Sequence, residues 1–528
     1  MPSLFTNPPL TVLWEKIDIN RPQLKGIYMP AHEELRPVLV TGGTGYIGSR
    51  LVPRLLKEGH RVRVLARSAQ KIWQRPWGHH PHLDVVEGDV LNLSDMKRAL
   101  SGCRAVYYLV HSMNPKVKSF GSADRLAAEN MVEASRLAGI EQIIYLGGLG
   151  EESAELSQHL VSRHEVAAIL QKGIVPVTVL RAAMVIGSGS ASFEILRYLV
   201  DRLPVMITPR WIDTPCQPIA VRNVLTYLIG VLNHPQALDK TFDIGQPEVV
   251  TYRRLMEIYA EEAGLKKRLV LPVPVLTPRL SSYWIHLVTP VPAALARPLA
   301  EGLRNPVICR NDNIRSLVPQ TLLDCREAIH QALERVKQQA VESSWREAGA
   351  MLPAEWSDPG DPQWAGGTLY EDSWRVVVAS SPEKLWPYIS RIGGSTGWYY
   401  ADWLWRVRGL MDRLIGGVGL SRGRRDDEEI LPGDAIDFWR VQRVDPSRSL
   451  LLVAEMKLPG EAVLEFSLKT VGEGKTELRQ TARFLPRGMW GIIYWVLVYP
   501  FHVPVFKGML RGLVARSGVP MLEGPSRR

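Results

Sequence analysis

A short glycine-rich run constrains this chain more than any other feature of its sequence. In VLVTGGTGYIGSRLVPRLLKEGH a strand pattern passes into a helix pattern, and Gly42, Gly45 and Gly48 lie three residues apart between them. This spacing allows a tight turn, close approach of backbone to a pyrophosphate and close helix packing. The N–H groups and dipole at the start of that helix favour an anion. The predicted phosphate-binding residues are Thr41, Gly42, Gly43, Thr44, Gly45, Tyr46, Ile47 and Gly48.

Short apolar runs alternate with helical patterns from Pro37 onward. Predicted strands lie at 38–40, 61–66, 83–88, 104–110, 142–147 and 176–181. Alternation of strands with helices of this length is typical of repeated βαβ units. The sequence therefore predicts an α/β fold of Rossmann type, with a doubly wound parallel sheet. The region from 182 to about 345, richer in Pro and in longer helices, predicts a cap on the ends of the strands.

The chain is long enough for more than one domain, since its 528 residues exceed the roughly 250–300 at which single cores stop growing. The stretch at 352–367 is dense in Pro, Gly and Asp, as domain boundaries are. We predict an N-terminal extension at 1–36, the nucleotide-binding domain with its cap at 37–345, a linker at 346–367 and a second domain at 368–520.

The second domain has a different composition and periodicity. Of the 16 tryptophans, 11 lie at or after Trp345. Runs such as DAIDFWRVQRVD and TELRQTARFL alternate with a period of two, which predicts an antiparallel sheet with one buried face. A helix is predicted in SSPEKLWPYISRIGG, and a long apolar segment follows the strands. The expected architecture is α+β.

The residues after the second and third predicted strands indicate which nucleotide is bound. An NAD-dependent enzyme would offer an acid to the ribose about twenty residues past the glycines, whereas this chain offers Arg67 and Ser68. A basic fork suits a 2′-phosphate, so NADP(H) is predicted ahead of NAD(H). Asp89 and Val90, after the third strand, are placed to contact the adenine. Alternatively, Arg67 is a solvated loop residue, and the Asp89 carboxylate caps the next turn.

Together these segments resemble a known superfamily. TGGTGYIG, ARS after the second strand, GDV after the third and YYLVHS in the fourth are similar to the atypical, extended short-chain dehydrogenases/reductases. The similarity is nearest to the NAD(P)H-binding NmrA-like proteins and to the nucleotide-binding subunit of respiratory complex I, and it covers roughly 37–345. IAVRNVLTYLIGVL and TFDIGQPEVVTYRRLMEI resemble the family's cap segments. The resemblance implies a bound dinucleotide and leaves turnover open.

The catalytic residues that the resemblance implies are replaced. Active members use a Tyr, and a Lys four residues later, as proton donor and ribose clamp; the matching positions here hold His159 and Arg163. The Ser expected after the fifth strand is replaced by Gly147 and Gly148. Arg163 can hold a ribose but cannot be deprotonated, and His159 can donate a proton near neutral pH. Otherwise His159 is a surface residue of a helix, and Tyr108 and His111 are alternative acids.

The second domain resembles the helix-grip, START or polyketide-cyclase type of fold, on architecture and without a short fingerprint. Members of that type hold a hydrophobic ligand between a curved sheet and a long C-terminal helix. Aromatic residues that would form ligand walls, or else ordinary core, are Trp386, Trp398, Tyr399, Tyr400, Trp403, Trp405 and Trp439. A reductase-like module joined to such a domain is similar to bacterial fusion proteins of unknown function.

One uncharged stretch raises the question of a membrane. Met489 to Phe506 contains no Lys, Arg, Asp or Glu and approaches the length of a span, with Arg487 and Lys507 flanking it. Pro500 and Pro504 argue against a simple span. Three alternatives follow: a buried helix that closes the second domain, which we favour, a peripheral membrane contact, or a spanning helix.

The net charge and the cysteine content limit which binding partners and which cellular compartment we predict. The net charge of +10 favours an anionic ligand or surface without choosing one. We predict no nucleic-acid partner, because the basic run SRGRRDDEE is neutralised by its own acids and no nucleic-acid-binding motif is found. Four scattered cysteines predict neither a disulfide framework nor a metal site. A cytoplasmic location is expected, with membrane association left open, and the oligomeric state is not predicted.

Two hypotheses of function follow from these observations. In the first, the chain is an NADP(H)-binding oxidoreductase with an atypical active site that acts on a hydrophobic small molecule presented by the second domain. In the second, it is a non-catalytic NADP(H)-binding sensor or assembly factor with a lipid-binding second domain. Loss of the Tyr and Lys favours the sensor, and the ligand-ready second domain favours the enzyme.

Overall fold

The computed structural model describes residues 36–110, 120–150, 157–273, 278–334, 361–362, 365–419 and 430–527. The predicted N-terminal extension up to residue 35, His111, the basic run at 421–429 and most of the predicted linker lie outside these ranges. Most of each predicted domain lies inside them.

Among the described residues, seven parallel strands form the sheet of the N-terminal domain. They are β1 (Val38–Thr41), β2 (Val62–Ala66), β3 (Leu83–Glu87), β4 (Ala105–Tyr108), β5 (Gln142–Gly148), β6 (Val177–Ala182) and β11 (Thr241–Ile244). Their order is β11-β6-β5-β4-β1-β2-β3, and all neighbours are parallel. The order reverses between β1 and β4, which leaves a crevice at their carboxyl ends. The predicted Rossmann-type sheet is confirmed.

Helices cover both faces of this sheet because its strands bury side chains alternately on each side. Val38 and Val40 of β1 pack into one core cluster with the helices Tyr46–Lys57 and Val221–Gly230. Leu39 packs into another cluster with the helices Leu93–Leu100, Phe120–Ala138 and Gln158–Gln171. The sheet is therefore doubly wound, as predicted. The helices of this layer are α1 (Tyr46–Lys57), α2 (Gln70–Trp73), α3 (Leu93–Leu100), α4 (Phe120–Ala138), α5 (Gln158–Gln171) and α7 (Val221–Gly230).

The cap is built mainly of helices over the carboxyl ends of the strands. Its helices are α6 (Ala191–Arg202), α8 (Tyr252–Glu262), α9 (Pro278–Val288), α10 (Ala293–Gly302), α11 (Ile314–Leu317) and α12 (Cys325–Leu333). Short strands pair β7 (Val185–Ile186) with β10 (Ile219–Ala220), β8 (Val205–Pro209) with β13 (Leu269–Val273), and β9 (Pro215–Cys216) with β12 (Val250–Thr251). Two 3₁₀ turns, Arg210–Asp213 and Pro235–Ala237, complete the described part of the cap.

In the described part of the C-terminal domain, seven antiparallel strands form one sheet in the order β15-β16-β17-β18-β19-β14-β20. They are β14 (Tyr370–Val378), β15 (Ala435–Ile436), β16 (Trp439–Asp445), β17 (Ser449–Ala454), β18 (Gly460–Gly472), β19 (Lys475–Pro486) and β20 (Met521–Arg527). The predicted antiparallel sheet is present. It continues past the predicted end at residue 520, because β20 pairs with β14.

Three helices accompany that sheet: α13 (Pro382–Ser390), α14 (Asp402–Leu414) and α15 (Gly488–Ser517). The uncharged stretch from Met489 to Phe506 lies in α15, which continues through Pro500 and Pro504. Within the described ranges, α15 is the one helix long and apolar enough to cross a membrane, judged by length and composition alone. Its second half packs against the sheet through Phe506, Met509, Leu510 and Leu513.

The end of the linker is attached to the N-terminal domain by buried polar contacts. Glu194 of α6 accepts hydrogen bonds from the backbone N–H groups of Gly366 (2.8 Å) and Gly367 (3.1 Å). Arg202 donates to the hydroxyl of Thr368 at 3.0 Å. Because the first turn of α6, which contains Glu194, also borders the nucleotide-binding crevice through Ala191 and Ser192, this helix connects the linker to the site described next.

Candidate functional site

The glycine loop between β1 and α1 leaves space that no larger residue could occupy. Gly42 has a φ of +74°, and a Cβ there would lie 2.7 Å from the carbonyl oxygen of Leu109. A Cβ at Gly48 would lie 2.3 Å from the carbonyl oxygen of Gly42. Both glycines are therefore required by the backbone itself, which turns tightly so that α1 starts close to β4.

No described side chain caps the first turn of α1. Its N-cap is Gly45, which has no side chain to cap the helix, and the first turn contains no acidic residue. An uncapped helix N-terminus at the crevice of a doubly wound sheet is suited to a pyrophosphate. The loop and helix therefore fit an NAD(P) cofactor.

The remaining residues of the predicted loop divide into two groups. Thr41 and Gly43 have structural contacts: the Thr41 hydroxyl donates to the carbonyl of Tyr107 at 3.1 Å, and a Cβ at Gly43 would lie 2.6 Å from a methyl of Val64. The others line the crevice, and they are Gly42, Thr44, Gly45, Tyr46, Ile47 and Gly48.

Arg67 and Ser68 lie directly after β2, at the carboxyl edge of the sheet. The Arg67 side chain is exposed and forms no hydrogen bond or ion pair with a described residue. It is therefore available to an anion outside the crevice, where the 2′-phosphate of NADP(H) would lie if the cofactor ran from the glycine loop toward β2.

Asp89 and Val90 follow β3 in a tightly held turn. The Asp89 carboxylate accepts a hydrogen bond from Leu91 N–H at 3.0 Å, as the turn-capping alternative predicted. Val90 accepts one from the Asn130 amide at 3.0 Å. Contact of Asp89 or Val90 with an adenine remains a prediction, since each already has a structural partner.

One open cleft of about 560 Å³ extends from the glycine loop to the cap. The carboxyl ends of β4, β5 and β6 form its floor through Leu109, Leu146 and Ala182. Helices α5, α6 and α10 form its walls. This is the position at which open α/β sheets bind their ligands.

His159 and Arg163 both line this cleft, so the structure brings the two predicted catalytic residues next to the glycine loop. Arg163 donates a hydrogen bond to the carbonyl of Leu146 at 3.1 Å. A Cβ at Gly148 would lie 2.8 Å from Leu160 and 3.1 Å from the Arg163 side chain. Leu160 and Arg163 thus occupy the space that a Ser side chain at position 148 would need.

The alternative acids have weaker claims to a catalytic role. Tyr108 is buried in the core and packs against Tyr145, with ring centroids 5.9 Å apart. Burial raises the pKa of Tyr108 well above its usual value, which makes the side chain a poorer proton donor. His111 lies outside the described residues.

An apolar pocket in the cap adjoins the cleft. It encloses about 100 Å³ and shares the side chains of Met184, Tyr252 and Leu299 with the cleft. Its remaining walls are mainly apolar residues of α6, β8, α8, α9 and α10, among them Trp284. The cleft can therefore accept a polar dinucleotide at one end and an apolar group at the other.

Sequence reasoning missed an ion pair at the edge of the cleft. Arg50 of α1 binds Asp361 of the linker through two hydrogen bonds of 3.1 and 2.7 Å. Their side chains are only 4% and 5% exposed, and Asp361 also lines the cleft. No local pattern could reveal the pair, because the two residues are 311 positions apart.

The C-terminal domain contains a separate apolar cavity of about 360 Å³ between its sheet, α14 and α15. Of the seven predicted aromatic wall residues, Trp405 and Trp439 line it. Trp398 belongs to the core and stacks on Trp405, while Tyr400 and Trp403 are exposed. The cavity walls instead include Trp495, Phe501 and Phe506 of α15, together with His502.

The pKa of His502, a histidine that lines this cavity, is strongly shifted. Burial, assisted by the nearby Arg408 guanidinium, lowers the pKa of His502 to about 4. The imidazole is therefore neutral at physiological pH, and it packs edge-on against Trp495 at 4.9 Å. The aromatic end of the cavity therefore combines apolar rings and a neutral imidazole with the guanidinium of Arg408.

Comparison with known sequence families assigns the two domains separately. Residues 42–190 match the family described as NAD(P)H-binding, and residues 364–509 match a family described as a protein of unknown function, DUF2867. The N-terminal part of the chain is therefore an NAD(P)H-binding domain, in agreement with the predicted resemblance to short-chain dehydrogenases/reductases. The START-like resemblance of the second domain stays a prediction.

Individual relatives match the chain over part of their length. It is 32% identical over 122 residues to a 3-beta-hydroxysteroid dehydrogenase of Mycolicibacterium neoaurum, which covers 21% of this chain and 32% of that protein. It is 21% identical over 231 residues to the photosystem II assembly factor Ycf39 of Trieres chinensis, which covers 43% of this chain and 69% of that protein.

Two similar solved structures are an NADPH-dependent quinone oxidoreductase of Escherichia coli and a triphenylmethane reductase of Citrobacter sp. The first has 16% identity and a TM-score of 0.47, and the second 19% identity and a TM-score of 0.46. Each covers 56% of this chain and 99% of the other chain.

Proposed function

We propose that this protein is a cytoplasmic NADPH-dependent reductase acting on a hydrophobic small molecule. The observation that carries the proposal is the cleft itself, in which the glycine loop, His159 and Arg163 share one space that adjoins the apolar cap pocket. The relatives named as a steroid dehydrogenase and a quinone oxidoreductase support an apolar ketone or quinone as the substrate class.

Preference for NADP(H) over NAD(H) is part of the proposal. Arg67 is exposed, uncommitted to any described partner and directly follows β2. No acid stands at this position to accept the 2′-hydroxyl of NAD(H), and a guanidinium suits a 2′-phosphate in shape and charge.

The roles of the side chains follow from their positions. NADPH, when bound, supplies a hydride to the carbonyl carbon of the substrate. The N–H groups at the start of α1 hold the pyrophosphate, and Arg163 holds the ribose through its donors. His159, as imidazolium, gives its proton to the carbonyl oxygen, so that the ketone becomes an alcohol. The cap pocket excludes water from the apolar part of the substrate.

A second candidate function is a non-catalytic NADP(H)-binding sensor or assembly factor. The observation that favours it is that Leu160 and Arg163 fill the space beside Gly148 where the catalytic Ser would lie, and that His159 and Arg163 stand in place of the usual Tyr and Lys. The match to an assembly factor supports the same direction. In either case the cavity of the second domain would hold a hydrophobic ligand, as a START-like fold would.

Turnover and cofactor affinity separate the two candidates. We expect the full chain to oxidise NADPH slowly in the presence of menadione or a steroid ketone, with kcat/KM at least about tenfold higher than for dihydroxyacetone, because the cap pocket binds apolar groups. His159→Ala should lower kcat by about 10²-fold or more and leave the Kd for NADPH unchanged, as measured by calorimetric titration.

His164→Ala is the matched control, since it makes the same change on the same helix outside the cleft lining. Its kcat should equal that of the wild type. NADPH binding without oxidation by any of these acceptors would favour the sensor. Rapid turnover that survives His159→Ala would show that another group donates the proton.

A further inference from the structure

The first half of α15 carries an apolar stripe that no described element covers. Exposed apolar side chains recur at every third or fourth position there, and only 22% of the most apolar 18-residue window is buried. Trp490, the most exposed of the large aromatic residues, is 75% exposed. The stripe consists of Met489, Trp490, Ile493, Val496, Leu497, Pro500, Phe501, Val503 and Pro504.

Helix α14 carries a second exposed apolar stripe beside the first. Its members are Trp403, Val407, Leu410, Met411, Leu414 and Ile415. The two helices are joined by Arg408 of α14, which hydrogen-bonds to the Tyr494 hydroxyl of α15 and lies over its ring. Two adjacent helices thus expose large apolar side chains, which a soluble domain does not ordinarily leave uncovered.

The cavity of the C-terminal domain opens between these two stripes. Val407, Met411 and Ile415 of α14 and Phe501 of α15 line the cavity and are also exposed. These residues therefore form the rim of its mouth. A ligand entering the cavity passes over an apolar rim rather than over polar groups.

Two exposed arginines of α14 are available to bind anions. Arg406 and Arg413 are exposed and form no ion pair with a described residue. The two acids of the helix are occupied by backbone donors: Asp402 accepts from Trp398 N–H at 2.8 Å, and Asp412 accepts from Lys457 N–H at 2.7 Å. Helix α14 carries three arginines against these two aspartates, and Asp412 is buried, so the surface around the cavity mouth is apolar and has a net positive charge.

We propose that the exposed faces of α14 and α15 form a membrane-docking surface that lies in the interface of an anionic bilayer and opens the cavity of the C-terminal domain toward the acyl chains. Apolar stripes with interfacial tryptophans and neighbouring arginines are the features of helices that bind in this way. The cavity then exchanges an apolar ligand with the membrane without passing it through water.

Two other ways of covering these stripes fit the structure less well. A spanning α15 would have to withdraw its second half from the core and separate β20, which follows it, from β14. In a symmetric dimer through this face, the same patch of both copies would meet, and Arg406 and Arg413 of one copy would lie close to the same arginines of the other. These like charges would oppose the contact. Anionic lipid headgroups instead neutralise those arginines.

The test measures pelleting of the full chain with vesicles of phosphatidylcholine alone or mixed with phosphatidylglycerol. We expect binding to the mixed vesicles, weaker binding to phosphatidylcholine and partial release by salt, since screening weakens the electrostatic part alone. Leu497→Glu, on the exposed stripe, should weaken binding at least about tenfold, because a charge is excluded from the acyl region. The double variant Arg406→Glu, Arg413→Glu should abolish the preference for phosphatidylglycerol.

The matched control is Ile174→Glu, which places the same charge on an exposed isoleucine of the N-terminal domain and should bind vesicles like the wild type. An unchanged far-UV circular dichroism spectrum and an unchanged thermal unfolding profile show that each variant is folded. The proposal is overturned if the wild type does not bind anionic vesicles or if Leu497→Glu binds them equally well. Resistance of the bound protein to alkaline wash, which marks a spanning helix, or a dimer that Leu497→Glu dissociates would also overturn it.

Discussion

Arg67 is the residue on which the choice between the two nicotinamide nucleotides should depend. We expect NADPH to bind at least tenfold more tightly than NADH, a difference of about 1.4 kcal/mol, because the guanidinium meets the 2′-phosphate. Arg67→Asp should reverse the order, since a carboxylate repels that phosphate and accepts the 2′-hydroxyl of NADH. Calorimetric titration with both nucleotides measures the ratio.

Arg61→Asp provides the control for this charge change. Arg61 is exposed at the opposite end of β2, away from the carboxyl edge where the cofactor binds. The ratio of the two affinities should stay as in the wild type. Equal affinities of the unmodified protein for NADPH and NADH would contradict the assignment of Arg67.

Residues that act through local backbone geometry could be predicted from the sequence, and residues that act through distant contacts could not. Gly42 and Gly48 belong to one eight-residue turn whose chemistry a short pattern encodes. The structural role of Thr41, which ties β1 to β4, needs the sheet order. Asp361 needs the whole fold, because its partner Arg50 precedes it by 311 positions.

At the scale of the element, the close approach of α1 to the glycine loop should be the point most sensitive to added volume. Gly48→Ala places a Cβ 2.3 Å from the carbonyl oxygen of Gly42, and relief of this clash must move the helix. We expect a loss of about 1–3 kcal/mol in the free energy of unfolding and weaker NADPH binding. Chemical denaturation and calorimetric titration measure the two effects.

Gly121→Ala is the comparison that isolates the clash. Gly121 also lies in a helix, α4, but among the described residues a Cβ there would have only one side-chain nitrogen, of Arg125, within 4 Å, at 3.9 Å. Alanine favours a helix over glycine by up to about 1 kcal/mol, so this variant should be as stable as the wild type or more stable. A Gly48→Ala protein that gains stability in the same way would show that α1 can shift without cost.

The strands of the N-terminal sheet could be predicted from the sequence more fully than helix α15. The six strands predicted for the N-terminal sheet are found because each is a short, mainly apolar run, and most of them are buried on both faces; β3, at the edge of the sheet, is only partly buried. For α15 the favoured expectation was a buried closing helix. In the structure its second half is buried and its first half is exposed on one side. An apolar composition cannot show this division, because the same side chains suit a protein core and a lipid surface.

At the scale of the whole molecule, the buried pair of Arg50 and Asp361 links the second half of the chain to the nucleotide-binding helix. Asp361→Asn leaves a buried guanidinium without its charge partner, and removal of one partner from such a pair costs about 3–5 kcal/mol. We expect the midpoint of thermal unfolding to fall markedly and NADPH to restore part of the loss by binding the folded state. Differential scanning calorimetry measures both.

Asp213→Asn tests whether removing the carboxylate from an exposed arginine–aspartate pair would destabilise the protein to the same extent. Asp213 pairs with Arg253 at 2.6 Å, but the two side chains are 52% and 28% exposed. Pairs of this kind contribute about 0–1 kcal/mol, so the midpoint should hardly change. Equal losses from the two variants would mean that burial of the linker pair adds nothing to its strength.

The same pair sets an order of events during synthesis. Arg50 leaves the ribosome long before its carboxylate, and 311 residues take roughly 15–60 seconds to add at about 5–20 residues per second. For that time the nascent nucleotide-binding domain lacks the carboxylate that Arg50 binds in the folded protein. Its first helix reaches its final environment only when the linker arrives, so the two halves of this protein mature together rather than one after the other.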